Sequence, residues 1–347
     1  MPDPTPARAG RARISDVAAA AGVSVTTVSH ALSGARTVNP QTRERILEIA
    51  AALGYAPDRI ASGLRRKRTG VIGFLGDHVA TTPFAGRMIA GARDAGLEHD
   101  VLLLVAESEG DEAVEQALVD RFVAQRVDGL LIARMYHQRV KRPTAPADLP
   151  IVLLDAAPER GWKVDAVVPD EAQITRLACE AVLAAGHRAI AYADTLDRSR
   201  AARGRHLGVR AALGDAGVQL GADRIAAAES DARGGRAAGA ALLDRADRPT
   251  AVICFNDRIA MGVMQAAARL GLSVPRDVSV VGIDDLRPVA DGLDPGLTTA
   301  ALPHAEMGDW AMTRLIARVG KTEPAPPRLH LMPGWLVERG SVAPPAA

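Results

Sequence analysis

Ser24, Thr26, Thr27, Ser29 and His30 crowd four hydroxyls and an imidazole into one short stretch, with Val25 among them. Hydroxyls and imidazole nitrogens hydrogen-bond phosphate oxygens and base edges, and a valine can meet a thymine methyl. The surrounding residues supply a platform for that chemistry. Ile14, Val17, Ala18, Ala21, Val23, Val28 and Leu32 recur at helical spacing on either side of Gly22, so two short helices can close a small core. Ser24 suits the N-cap of the second helix, which leaves Val25, Thr26, Ser29 and His30 on its outer face. This pattern predicts a helix-turn-helix whose second helix presents its N-terminal residues to a DNA major groove. A helical hairpin that merely packs against the rest of the chain is the alternative, and the charge distribution weighs against it.

That distribution is uneven. Residues 1–70 hold eleven Lys/Arg against five Asp/Glu, a net +6, while the remainder holds 31 against 36, a net −5. A basic head on a mildly acidic body suits a phosphate-binding module attached to something that is not one. Residues 1–12, rich in Pro, Ala and Arg, read as a disordered basic lead-in. Asn39-Pro40 opens a third helix, with Ile46, Leu47, Ile49, Ala50 and Leu53 expected to close the head's core and Gly54 to end it. The helix-turn-helix domain is thus set at 13–57. A linker at 58–69 follows, a possible short helix running into the basic run Arg65 to Arg68.

From Val71 the texture changes. VIGFLG, DVLLLVAE, VDGLLIA, LPIVLLD, AIAYAD, TAVICF and VSVVGID are apolar runs of strand length, with helical stretches at 111–125, 172–185, 204–216, 234–245 and 258–270 between them. Continuous apolar strands alternating with helices predict an α/β fold of parallel sheets covered on both faces. There are more strands than one sheet needs, and DEAQ at 170–173 marks a crossing between two halves. The reading is two Rossmann-like subdomains with ligand space between them at the strand C-termini.

Several classes fall away. Cys179 and Cys254 lie far apart in apolar stretches, so free buried thiols are expected rather than disulfides or a metal site. There is no GxSxG elbow, P-loop or dinucleotide fingerprint, and the glycines at 70, 73 and 76 are spaced GxxGxxG. Catalysis, a cofactor and a metal are not expected. MPDPTPARAGRAR lacks an apolar secretory core and no run approaches a membrane span, so a cytoplasmic, nucleoid-associated protein with no membrane partner is expected. A sugar-binding transport protein would need the export signal and would lack the basic head.

With these motifs in order, the chain resembles the lactose-repressor (LacI/GalR) family of bacterial transcription regulators over residues 13–342. The likeness rests on ISDVAAAAGVSVTTVS (14–29), TRERILEIAAALGYAPD (42–58), GHRAIAY (186–192), FND (255–257), VPRDVSVVGIDD (274–285) and LTT (297–299). The resemblance implies a homodimeric repressor on a pseudo-palindromic double-stranded operator, with a small sugar-like or anionic effector held in a periplasmic-binding-protein-like core. That core would span 70–342, one subdomain at about 70–168 and 303–323, the other at about 169–302 and 324–342.

Val25, Thr26 and His30 match the family's base-reading positions, and His30 stands where Arg is usual. Ser24, Thr27, Ser29, Thr42 and Arg43 match further DNA contacts, chiefly to phosphate. Tyr55 matches a further DNA contact, and residues 58–66 match the family's hinge helix, in which Arg59 and Ala61 accompany Leu64, placed to wedge between base steps in the minor groove. Asp58 replaces a common Asn, and Gly63 costs that helix about 1 kcal/mol relative to Ala.

Phe84, Asp155, Arg203, Asn256 and Asp284 match the effector-contact positions. Carboxylates with Asn and Arg at strand ends can grip several hydroxyls. Leu302 stands where Gln is frequent and Ser230 where an aromatic is, while Arg198 and Arg200 add positive charge near the cleft mouth. A carboxylate or phosphate on the effector is one expectation from those arginines, and a solvated loop is the favoured alternative. An effector-independent regulator with a vestigial pocket is the other reading. SVAPPAA carries no heptad pattern, so no C-terminal coiled coil is expected.

Leu64→Ala should weaken operator binding far more than non-specific binding, whereas Arg66→Ala should weaken both and reduce the salt slope by about one. Fluorescence anisotropy over a salt series reads the two effects. Equal losses for Leu64→Ala on both DNAs would remove the wedge.

Overall fold

The computed structural model describes residues 12–33, 36–55, 68–78, 82, 84–322 and 326–346. It divides into two compact units, Met1–Gly70 and Val71–Ala347. The hinge residues Arg59, Ala61 and Leu64, and the lead-in up to residue 11, lie outside the described residues.

The first unit holds α1 (Ile14–Ala21), α2 (Val25–Ser33) and α3 (Pro40–Ala52). Gly22 ends α1 at φ 64°, a left-handed turn that favours glycine. Ser24 Oγ accepts the Thr27 amide at 3.1 Å, and Asn39 Oδ1 accepts that of Gln41 at 3.0 Å, capping α2 and α3. Val17, Ala18, Ala21, Val28, Ala31, Ile46 and Ala50 form the buried core. Arg45 donates to the Ala21 carbonyl at 2.9 Å and Arg43 to that of Ala31 at 3.2 Å, so α3 also satisfies the C-terminal carbonyls of both other helices. Leu47 and Leu53 do not join this core; they are 46% and 43% exposed. The two facing helices cover only the stripe of Ile46, Ile49 and Ala50, and Leu47 sits about 100° off Ile46.

The second unit begins with β1 (Val71–Gly76), α4 (Ala85–Glu98), β2 (Leu102–Glu107), α5 (Glu112–Ala124), β3 (Gly129–Val140), β4 (Ile151–Pro158) and β5 (Asp165–Pro169). It continues with α6 (Glu171–Ala184), β6 (Ile190–Thr195), α7 (Arg200–Asp215), β7 (Ile225–Ala228), α8 (Ala232–Leu243) and β8 (Ala251–Cys254). Then come α9 (Asp257–Arg269), β9 (Ser279–Asp284), α10 (Arg287–Ala290), β10 (Thr298–Ala301), α11 (His304–Gly320), β11 (Leu329–Met332) and β12 (Trp335–Val337).

Among the described residues these strands form two six-stranded sheets, ordered β11-β5-β4-β3-β1-β2 and β12-β10-β9-β8-β6-β7. All pairings are parallel except β10 with β12. Five of the strand-to-helix turns carry a short polar cap: Asp111, Asp170, Ser199, Asp231 and Asn256 accept amides at the starts of α5 to α9.

In the first sheet Phe74, Leu131, Val152 and Val167 pack under α4 and α11 through Met88, Ala92, Met307, Ala311 and Leu315. In the second, Tyr192, Ile253 and Val281 are enclosed by side chains of α6 to α9. Cys179 and Cys254 are buried free thiols there.

The chain crosses between the sheets three times, after β5, after β10 and after β11. The expectation that 324–342 belongs wholly to the second subdomain is corrected: β11 pairs with β5 in the first sheet, and the crossing falls at Pro333-Gly334. β5 would otherwise leave its backbone groups unpaired on that side. Gln173, beside the first crossing, grips the third by donating to the Gly334 carbonyl at 3.3 Å and accepting its amide at 3.0 Å.

Helices α4 and α11 approach backbone to backbone. A Cβ on Gly91 would overlap the Ala305 carbonyl, and one on Gly308 that of Met88. Gly308→Ala gains about 1 kcal/mol of helix propensity, but a backbone carbonyl cannot yield, and overpacking costs about 1–3 kcal/mol. Thermal unfolding should show a lowered Tm for Gly308→Ala; an unchanged or raised Tm would mean that the helices separate freely.

Candidate functional site

On α2, Val25 and Thr26 are exposed and Thr27, Ser29 and His30 are half-buried, while Val28 and Ala31 face inward. Ser24 and Thr27 also share a hydroxyl hydrogen bond of 2.8 Å, so both are partly engaged in the cap. Thr42 is half-buried near the start of α3, and Arg43, although exposed, is tethered to the end of α2. Tyr55 packs against the head's core. The outward residues of α2 thus form one polar face with a valine in it, behind which the core is complete.

In the second unit, a cleft lies between the C-terminal ends of the two sets of strands. Phe84, Asp155, Asn256 and Asp284 come together there, as do Leu302 and several residues that sequence reasoning missed: Met135, Tyr136, Pro169, Glu171, Ala201, Arg205, Phe255, Arg258 and His304. The open volume is about 30 Å³, room for two or so water molecules.

Arg203 is not among them. It lies exposed on α7, and the cleft guanidinium is Arg205, 5% exposed. The reason is helical phase. Ala201, Arg205, Gly208, Val209 and Ala212 share the buried stripe of α7, whereas Arg203 sits about 200° round from Arg205. That periodicity was the available signal.

Arg205 Nε donates to Glu171 Oε2 at 2.7 Å, and one terminal nitrogen donates to the Phe255 carbonyl at 2.7 Å and to Asp284 Oδ1 at 3.3 Å. Its guanidinium also lies 4.7 Å from the Phe255 ring centroid. Burial works against its charge, but Glu171 and Asp284 more than offset this and raise its pKa. Burial lifts Asp284 to about 6, against the pull of Arg205. Burial, and then the charge of Glu171, holds Asp155 well above the usual carboxylate range.

Asn256 caps α9 through its carbonyl oxygen, which accepts the Ile259 amide at 2.8 Å while the residue lines the cleft. Its neighbour Asp257 is turned inward, accepting the Thr299 hydroxyl at 2.6 Å and the Leu286 amide at 2.7 Å. Tyr136 (φ 65°), His137 (φ 56°) and Asp155 (φ 50°) bring left-handed backbone to the adjoining strands β3 and β4, whose register shifts between Ala133 and Gln138. Such conformations concentrate at sites that the surrounding structure over-determines.

A wider groove of about 310 Å³ opens at the opposite, N-terminal ends of β4 and β5, beside Pro150, Ile151 and Trp162. Its buried carboxylate, Asp165, is already held by Arg314 and Arg318. Ligands of parallel α/β sheets bind at strand C-termini, which favours the smaller cleft.

No helix among the described residues is long and apolar enough to cross a membrane, and no cluster of His, Cys, Asp or Glu among them could hold a metal ion. A helix-turn-helix head and a two-sheet core with a polar cleft define a DNA-binding regulator of bipartite build. Residues 13–58 match the bacterial regulatory proteins of the lacI family, and residues 179–342 match the periplasmic binding protein-like domain.

The chain is 32% identical over 312 residues to the ribose operon repressor of Haemophilus influenzae, covering 89% of this chain and 92% of that protein. It is 32% identical over 335 residues to the transcriptional repressor PurR of Yersinia enterocolitica, covering 96% and 97%. Among solved structures, the lac repressor dimer bound to operator and the anti-inducer ONPF has a TM-score of 0.76 at 27% identity, covering 96% of this chain and 100% of that one. The transcriptional regulator CelR with cellobiose has a TM-score of 0.66 at 27% identity, covering 95% and 100%. The chain belongs to the lacI family of bacterial transcription regulators.

Asp284 ionises near pH 4 in an unfolded chain and near 6 in the fold, so the folded protein holds the extra proton between those values. The stability it contributes is full below about pH 4 and is lost as the pH rises through about 6. Urea midpoints from pH 4 to 7 should therefore decline more steeply in the wild type than in Asp284→Asn. Parallel profiles would rule out this titration.

Proposed function

We propose that this chain is a transcriptional repressor that binds a pseudo-palindromic operator as a homodimer and responds to a small uncharged polyhydroxy ligand in its cleft. The observation that carries the DNA reading is the outer face of α2. Val25, Thr26, Ser29 and His30 are spared by the head's own core and stand at the N-terminal part of the helix that such heads insert in the major groove. Thr26 can donate to or accept from a base edge, Val25 offers apolar contact, and His30 supplies one hydrogen bond where Arg would supply two. Arg43 and Thr42 suit phosphate contacts, as do the basic residues of 58–69.

One head makes too few base contacts for tight specific binding, so a second copy is needed. The second unit has a face for it. β2 is an edge strand exposing Leu102 (57%), Leu104 and Val105, and Leu97 (66%) stands exposed near the end of the neighbouring α4. Exposed apolar side chains along a sheet edge are the kind of surface that subunit association covers. The lac repressor dimer on its operator supports the same assembly.

The charge around the cleft favours an uncharged ligand over an anion. Asp155, Glu171 and Asp284 line it with Arg205 and Arg258, and the charge of Arg205 is already matched by Glu171 and Asp284. Arg198 and Arg200, which suggested a carboxylate or phosphate, are exposed and line no part of it. Carboxylates and amide groups around a small cavity suit hydroxyls. With only about 30 Å³ open, ligand entry requires the two sheets to part, and binding then biases the populations of open and closed cores.

Selection of bound sequences from a random DNA pool tests the DNA reading: a pseudo-palindromic consensus is expected, and a pool without one would remove it. Thermal shift with D-ribose, D-glucose, cellobiose and D-ribose 5-phosphate tests the ligand class. A neutral sugar at a hundredfold excess over its Kd should stabilise the core by about 2.7 kcal/mol. A response to the phosphate alone would overturn the uncharged assignment.

A further inference from the structure

The wall of the cleft contains a buried polar group that the ion cluster does not use. His304 is the first residue of α11, directly after the second crossing, and is 3% exposed. Its ring stacks on Phe84, with centroids 5.1 Å apart and planes 25° from parallel. Its Nδ1 is buried with no hydrogen-bond partner, although the residue lines the cleft. Arg258 Nε, in the same wall, is likewise buried and unpaired. Native structures keep few such atoms, and those that persist call for an explanation. The neighbouring wall residue Leu302 has an apolar side chain, and its carbonyl accepts the His304 amide at 2.9 Å.

We propose that His304 is a specificity-determining residue of the cleft, its ring nitrogen forming the hydrogen bond that a ligand hydroxyl completes. The assignment rests on the cleft being the ligand site, as proposed above. Burial, together with the charges of Arg87 and Arg205, lowers the His304 pKa to about 3, so the ring is neutral at physiological pH. A neutral imidazole has one donor and one acceptor nitrogen, and a hydroxyl can serve either one. A carboxylate can only accept and an ammonium can only donate, so the hydroxyl is the group that suits both tautomers. The Phe84 stack holds the ring in place, which makes the hydrogen bond directional. Because His304 opens α11, which packs along α4, a ligand bonded here bears on the first sheet as well as the second.

Two substitutions separate this role from simple packing. His304→Phe keeps an aromatic ring against Phe84 and removes the unpaired nitrogen; His304→Gln keeps hydrogen-bonding capacity and removes the ring. Both are compared with wild type, freed of ligand by dialysis, in thermal unfolding and in calorimetric titration with the four compounds named above. His304→Phe is expected to raise the ligand-free Tm by about 2–4 °C and to weaken sugar binding at least tenfold, with His304→Gln recovering part of that affinity. A group that only packs would move stability and affinity in the same direction.

A lowered ligand-free Tm for His304→Phe, or sugar binding as tight as in the wild type, would overturn the proposal. Should the wild type respond to none of the four compounds, the polyhydroxy-ligand reading fails by itself. The ligand-free Tm then still decides: a rise supports the unmet hydrogen bond at 304, and a fall overturns it.

Discussion

The guanidinium of Arg205 is the group around which the cleft is built. A buried charge is tolerated only when paired and hydrogen-bonded, and removing a partner leaves a cost larger than the pair itself contributes. Here the partners come from separate elements: Glu171 from the start of α6, Asp284 from the end of β9, and the Phe255 carbonyl from the turn after β8. Satisfying one side chain therefore fixes three elements relative to α7. Glycines make the approach possible. A Cβ on Gly204 would lie 2.9 Å from the Glu171 side chain, and one on Gly208 would lie 3.0 Å from that of Thr175, so α7 sits tight against α6 and Arg205 reaches its partners.

This cluster belongs to the second sheet. Phe84 and His304 stack at the starts of α4 and α11, both over the first sheet, and Arg87 on α4 approaches Asp285 after β9 at 4.0 Å. A partly exposed pair at that distance contributes little by itself. The continuous links are the crossing segments, with Gln173 tying the first to the third through Gly334. The proposed ligand response relies on these two well-packed bodies, joined by three crossing segments, parting at the cleft. A ligand acts on that parting only to the extent that it binds one arrangement better than the other. Unpaired groups such as His304 Nδ1 and Arg258 Nε, both on residues of the cleft wall, are where such a difference can arise.

Much of this was legible beforehand. The helix-turn-helix was readable because Gly22, Ser24 and the period of Val17, Ala18, Ala21 and Val28 are local facts, and a head this small has one way to bury them. The apolar runs of β1, β3, β4, β6, β8 and β9 were readable because strands covered on both faces are continuously hydrophobic, and β2 is as apolar although it lies exposed at the sheet edge. β5, β7 and β10 were not: DAVVP, IAAA and TTAA are runs of only five, four and four residues, too short to stand out by periodicity, and their neighbours in the sheet make them strands. Of the expected cleft residues, Phe84, Asp155, Asn256 and Asp284 are brought together, while Arg203 yields to Arg205.

The sequence by itself determined the helices of the head, most strands of the core, the basic head and the parallel α/β architecture, because periodicity, capping and charge act between residues close along the chain. Tertiary structure alone decided that Leu47 and Leu53 face solvent, that β11 completes the first sheet, and that His304 has a buried nitrogen in the cleft wall. Each of these depends on which distant surface arrives opposite a residue. A chain's own pattern can state that a face is apolar or that a group is polar, but only packing settles what covers the one and what is left to pair with the other.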